Sequence, residues 1–320
     1  MNQKKFVQTN FKDLKLVTKD SESLVNITDI RNKTHLFDDK FRKKFLLLGE
    51  IDNVQSDFFL SHTKWWIKPI VKRFNFYDNL GVYFNIDGKI VSNTHYIAYL
   101  YGMDNWEDIK NEVFKYGLDT INSMKDVLKL FDMNVEDLWI KKEVSFLKWG
   151  YQDYNTNNEK IFPKGQNKYI ELFFLHLISI INFVLYEITK IIYNNPELLM
   201  RIRYIACHYT QKSLEKLINQ VKNGTYILNV SSIEDEVSNN EIFNSSFRNC
   251  MSHYSFVNSD KTEIDKKLYN YKLPFFGLIE TKFGMTFEDY NLKLMNKLKL
   301  QSNMLLEYIN INTNNIEFLD

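Results

Sequence analysis

Residues 169–193 read YIELFFLHLISIINFVLYEITKIIY, apolar on nearly every side of a helix. Such a segment has to be hidden, in a helical core or in a membrane. Glu171, His176, Asn182, Glu187 and Lys190 interrupt it, and the apolar stretches between them fall well short of the roughly 18–20 residues a span requires. The segment is therefore expected to be the buried central helix of a soluble, mainly α protein with no membrane partner.

The rest of the C-terminal half reads as further helices. Pro196 stops the apolar helix and opens a second one, about 196–222, with Leu198, Ile202, Ile205 and Tyr209, then Leu214, Leu217, Ile218 and Val221 at helical spacing and Gly224 just past its end. A third helix is expected to open at Ser238 to Glu241, a capping-box pattern. The fourth, about 286–310, has Thr286 near its start and Leu294, Leu298, Leu305 and Tyr308 along one side. A four-helix bundle over 165–312 is the simplest packing of these elements.

The polar stretch NTNNEKIFPKGQNK, 155–168, contains Pro163 and Gly165 and marks a linker. Residues 1–160 ahead of it form a separate region, mostly helical with a small β element. Helices are expected from Asn105 and from Asn134, each an Asn cap followed by acidic first-turn residues. In GVYFNIDGKIV, 81–91, Asp87 and Gly88 separate two β-prone runs, the pattern of a hairpin with a tight turn. No motif within residues 1–160 names a function for them.

Charge and cysteine content narrow the function. With 41 basic and 40 acidic residues the net charge is +1, so no global field draws the chain to nucleic acid or to an anionic membrane. The only cysteines, Cys207 and Cys250, are too few for a zinc site built on paired CxxC motifs or for a disulfide-stapled secreted fold. The opening MNQKKFVQTNFKDLKL has no apolar run behind its basic residues, and a cytoplasmic location is expected. Neither GxGxxG nor GxxxxGK[ST] occurs, which argues against an ATP or dinucleotide enzyme.

The residues that carry chemistry lie in FRNCMSHYSF, 247–256. At 100° per residue Phe243, Phe247, Cys250, Met251 and Tyr254 share one stripe, the face expected to pack on the bundle. Ser245, Asn249 and Ser252 occupy the opposite face, with Arg248 on one edge and His253 on the other, about 140° apart. Five residues of separation keep Arg248 and His253 from converging within one helix, but two such helices meeting across a two-fold axis can bring the Arg of one chain to the His of the other. The residue types suit phosphodiester chemistry. A histidine moves protons near neutral pH, and an arginine offers planar donors to phosphoryl oxygens as charge develops on them. No metal or other cofactor is required, and Asn249 is placed to hold either the imidazole or a substrate oxygen.

Arg248-Asn249-Cys250-Met251-Ser252-His253, an Arg followed by a polar residue and, after three more, a His, resembles the signature of HEPN domains, the helical ribonuclease domains of many toxin–antitoxin, abortive-infection and CRISPR-associated proteins. The resemblance covers about 165–312 and includes the place of the motif in the third helix of a bundle. It implies a HEPN-like four-helix bundle, a homodimer with a shared active site, and metal-independent cleavage of RNA by attack of the ribose 2′-hydroxyl. Arg248 and His253 match the catalytic pair and Asn249 the polar position, while Ser245, Ser252 and His208 are candidate substrate contacts. A sensing or regulatory role for residues 1–160, and a trigger or antitoxin partner, are further implications of the family's architecture. Where some family members carry a modified Tyr two residues after the His, this chain has Ser255. The alternative is a non-catalytic bundle of the same type, serving dimerisation or RNA binding.

The remaining histidines and tryptophans support blander readings. His208, in RIRYIACHYT, is a candidate for the same cleft, although a histidine within the bundle with Arg201 and Arg203 on its solvated edge is the simpler reading. His176 is expected in the core, and His35, His62 and His95 show no spacing that makes a metal site. Trp65 and Trp66, with Lys64, Lys68, Lys72 and Arg73 around them, have the composition of a single-strand nucleic-acid surface. In a chain with 15% aromatic residues they read more simply as packed anchors.

Overall fold

The computed structural model describes residues 52–53, 57, 60–61, 63–74, 79–96, 148–156, 167–192, 195–253, 257–258, 261–311 and 316–318. These residues are mostly helical, with a small antiparallel sheet. The helices expected from Asn105 and Asn134, the linker residues 157–166, and His35 and His62 lie outside them. Two compact units divide the chain: Ile192–Gln301 forms one, and the described residues of 52–191 with those of 302–318 form the other.

In the second unit, strands β1 (Asn79–Asn85) and β2 (Ile90–Asn93) make the expected hairpin. Asn85 fixes the turn: its amide donates to the Lys89 carbonyl and its side-chain oxygen accepts from the amides of Asp87 and Lys89. Gly88 takes φ +70°, a conformation that costs little only without a Cβ. The hairpin is half of a larger sheet, because β3 (Trp149–Asn155) pairs along the whole of β1, and the short β6 (Glu317–Phe318) pairs with β3, giving the order β2-β1-β3-β6. Leu80, Val82 and Phe84 alternate along β1 and are fully buried, as period-two patterning demands.

Helix α2 (Lys168–Asn182), capped by the Asn167 side chain, packs on this sheet. It continues through a π-turn (Phe183–Glu187) into α3 (Ile188–Ile191). The apolar segment is a core helix, with 72% of its most hydrophobic window buried inside the protein. Its polar interruptions are mostly partnered. Ser179 accepts from the Asn93 amide at 2.9 Å, Asn182 accepts from Ser302 at 2.8 Å, and Glu187 pairs with Lys190 at 2.9 Å and receives the Trp149 indole N–H. His176 is buried edge-on to Tyr96 at 4.8 Å. Glu171 differs: it is fully buried, and neither carboxyl oxygen has a hydrogen-bond partner among the described residues.

One buried cluster joins four segments of this unit. Asp52 accepts from His95 at 2.9 Å, pairs with Lys168 at 2.5 Å and accepts from Thr156 at 3.3 Å. Burial alone would raise the Asp52 pKa, but His95 and Lys168 outweigh it and hold the carboxyl below its ordinary value. Helix α1 (Lys68–Phe74) and the turn before it lie at the surface of the unit. Trp65 is 83% and Trp66 58% exposed, which corrects the expectation that they pack as anchors.

The first unit begins with α4 (Pro196–Lys222), whose ends agree with the sequence reading. Asn195 caps it through the Leu198 amide at 2.8 Å, Pro196 stands in its first turn, and Gly224 beyond it has φ +72°. Beyond it come α5 (Ser231–Ser238), α6 (Ser245–His253) and a two-stranded ribbon, β4 (Val257–Asn258) with β5 (Lys261–Thr262). A 3₁₀ turn (Pro274–Gly277) leads into α7 (Leu278–Phe283) and α8 (Phe287–Leu306), of which the residues through Gln301 belong to this unit. Thr286 caps α8 through the Asp289 amide, and Leu294 and Leu298 are fully buried, as expected.

Candidate active site on helix α6

The helix that carries the motif is nine residues long, too short to persist by itself in water. Its start is set by Asn244, whose side-chain oxygen accepts from the amides of Ser246 at 3.0 Å and Phe247 at 3.1 Å. This corrects the expected capping box: Ser238 closes α5, Glu241 lies in a turn, and the motif helix begins at Ser245. Tertiary contacts decide the difference. The Gln211 side chain, buried on α4, donates to the Val237 carbonyl at 2.7 Å and to Asn240 Oδ1 at 2.8 Å. Lys297, buried on α8, donates to the Glu236 and Asn239 carbonyls and pairs with the Glu236 carboxylate at 2.9 Å. The Asn239 carbonyl and the Asn240 side chain are thereby held in the loop between α5 and α6, while the Glu236 and Val237 carbonyls at the end of α5 are tied down beside them.

Phe247, Cys250 and Met251 form the buried stripe, as the periodicity predicts. Phe247 sits among rings from three helices, 4.9 Å from Tyr204, 5.0 Å from Phe283 and 5.4 Å from Tyr290, each edge to face. Tyr290 donates its hydroxyl to the Ile242 carbonyl at 2.8 Å and so also fastens the chain entering α6. The polar face consequently points outward. Ser245 and Ser252 are exposed, and Arg248 and Asn249 are half-buried. Tyr254, the last residue of the expected stripe, and Ser255 lie outside the described residues.

Arg248 donates from Nη1 to Asn249 Oδ1 at 3.1 Å. The sequence left Asn249 to hold the imidazole or a substrate oxygen; in the structure its side-chain oxygen instead steadies the guanidinium. Arg248 has no carboxylate partner among the described residues, so none of them neutralises its charge. His253 is the final residue of α6. His208 is half-buried on α4, stacked on Tyr204 at 5.9 Å and edge-on to Phe243 at 5.8 Å, which makes it part of the aromatic support beneath α6.

Arg201 and Arg203 were expected on a solvated edge, and both are buried. The reason lies in which face of α4 the fold selects. Met200, Tyr204 and Cys207 turn inward and carry both arginines to the margins of the buried face, leaving Ile205 exposed. Arg203 donates to Asn291 at 3.1 Å, has no carboxylate beside it among the described residues, and burial depresses its pKa. Arg201 lies near enough to Cys250 to favour its thiolate, yet burial wins and pushes the thiol up to about 11. Cys207 is likewise raised by burial. Both cysteines are therefore packing residues rather than nucleophiles near neutral pH.

No three His, Cys, Asp or Glu side chains come together as a metal site would require among the described residues. Compared with known proteins, the chain matches no family model, no curated protein and no solved structure.

Proposed function

We propose that the chain is a metal-independent endoribonuclease of a defence or toxin system, built as a HEPN-type four-helix bundle and acting as a homodimer. The observation that carries the reading is Arg248: an outward, partly buried guanidinium with no carboxylate partner among the described residues, steadied by Asn249, on the same short helix as His253. An unneutralised arginine of this kind suits the non-bridging oxygens of a phosphodiester. Further support comes from the order of the helices in the first unit, in which the long α4, followed by the short α5, precedes the motif-bearing α6, and the long α8 follows α7.

In this reading an imidazole takes the proton of a ribose 2′-hydroxyl, and the freed oxygen attacks the adjacent phosphorus. The bond from phosphorus to the 5′-oxygen breaks, and an imidazolium returns a proton to that oxygen. Arg248 donates to the phosphoryl oxygens while charge accumulates there. The products are a 2′,3′-cyclic phosphate and a 5′-hydroxyl. Residues 1–160 then serve regulation, through a trigger or antitoxin partner.

The test uses wild type and His253→Ala, both confirmed as folded dimers, with total cellular RNA in EDTA. Cleavage by the wild type alone, leaving cyclic-phosphate ends, is the expected result. If neither protein cleaves, and the variant keeps the cellular effect of the wild type, the nuclease reading fails in favour of a binding module.

A further inference from the structure

Residues 58–77 contain no aspartate or glutamate, in a chain where acidic residues number 40 in 320. The same stretch contains Lys64, Lys68, Lys72 and Arg73, so a locally cationic segment is embedded in a nearly neutral protein. Its helical turns begin at Lys64, whose carbonyl accepts from the Ile67 and Lys68 amides at 3.0 and 3.1 Å, and run on through α1. The three lysines recur every fourth residue and so line up along one side. None of them has an acidic partner among the described residues.

Beside this row stand Trp65 and Trp66, 83% and 58% exposed. Two adjacent tryptophans left in water forgo the burial that ordinarily stabilises a fold, while Ile67 and Val71 on the same turns are half-buried. Flat aromatic faces flanked by unneutralised lysines match the two components of a single strand: bases that stack, and phosphates that need counter-charge. A lipid surface fits less well, because an interfacial helix needs a continuous apolar face to bury, whereas α1 has only seven residues, three of them Lys68, Lys72 and Arg73.

We infer that Lys64, Trp65, Trp66, Lys68 and Lys72 form a docking surface for single-stranded RNA, stacking bases on the indoles and holding phosphates with the lysines. The choice of RNA over DNA rests on the proposed function; the stacking geometry does not. The surface is separate in sequence from the Arg248 helix and requires no chemistry of it.

Binding of a fluorescent 2′-O-methyl oligouridine 15-mer to the full chain tests this, since a strand without free 2′-hydroxyls is not cleaved and binding is read independently of the nuclease. Trp65→Ala combined with Trp66→Ala should weaken binding by about 5- to 150-fold per base unstacked. Replacing Lys64, Lys68 and Lys72 with Gln should reduce the slope of log affinity against log salt by about 2. Unchanged circular dichroism would show that these surface variants fold. Equal affinity of all variants overturns the inference, as does Trp-dependent binding to anionic phosphatidylserine vesicles with none to the oligonucleotide. Oligothymidine bound as tightly as the RNA analogue would refute the choice of RNA. Loss of the binding surface with His253-dependent cleavage intact would leave the nuclease standing, and the reverse outcome would leave the surface standing.

Discussion

Glu171→Gln should convert a pH-sensitive protein into one much less so. Glu171 stands in the first turn of α2, where a carboxylate ordinarily gains about 0.3–1 kcal/mol from the helix dipole. Here that gain is overwhelmed. The side chain is fully buried, neither oxygen has a hydrogen-bond partner among the described residues, and burial pushes its pKa up to about 8 from an ordinary 4.5. The folded chain therefore holds this proton more tightly than the unfolded chain does. Its contribution to stability is fully present below about pH 4.5, declines as the pH rises, and is lost once the pH passes about 8. At ~1.4 kcal/mol per pH unit, the interval from 4.5 to about 8 amounts to a loss of about 5 kcal/mol. Glutamine is close in shape to the protonated acid and never ionises. The variant should match wild type within about 1 kcal/mol at pH 5 and exceed it by several kcal/mol at pH 8.5. Urea unfolding at fixed salt, from pH 5 to 8.5, measures the difference directly. Asp52 shifts in the opposite direction and acts only at acid pH, so it does not confuse this window. Parallel stability curves for the two proteins would show that Glu171 is ionised or solvated in the folded chain, and the reasoning from burial would be wrong.

Two further substitutions probe the support of the candidate site. Phe247→Ala removes the ring at the centre of the Tyr204, Phe283 and Tyr290 contacts and should cost about 3–5 kcal/mol in urea unfolding, with faster hydrogen exchange in α6; a cost under about 1 kcal/mol would mean that these rings do not hold the helix. Gly277→Ala should destabilise by more than about 2 kcal/mol, because Gly277 has φ +87° and a Cβ there would meet the Leu268 carbonyl oxygen at 2.2 Å. A thermal midpoint unchanged by the alanine would refute the close approach.

The ends of α4 were legible because every signal there is local: the Asn195 cap, Pro196 in the first turn and the left-handed Gly224 act within a few residues of one another. The hairpin turn at Gly88 and the Thr286 cap of α8 were readable for the same reason. So was the buried stripe of α6, since Phe247, Cys250 and Met251 need only the helical period to fall together. The start of α6 was not, because Gln211 and Lys297, far away in sequence, capture the loop that the capping-box pattern would have wound into helix. Strand β3 was not legible either, because its pairing with β1 joins residues about seventy positions apart, and no local pattern announces it. Sequence placed Arg248 and Asn249 on a polar face, but only the folded chain joins them in a hydrogen bond and leaves the guanidinium without a carboxylate among the described residues.

The sequence by itself determined the helical periods, caps and turns, whose energies are settled between neighbours along the chain. Tertiary structure alone decided which polar groups are shut away from water. Glu171 lost its solvent, Arg201 and Arg203 went inside, the Asp52 cluster was assembled from four segments, and Trp65 and Trp66 stayed outside. Burial depends on which distant surfaces meet, and a free-energy cost of that origin is not written in any one stretch of residues.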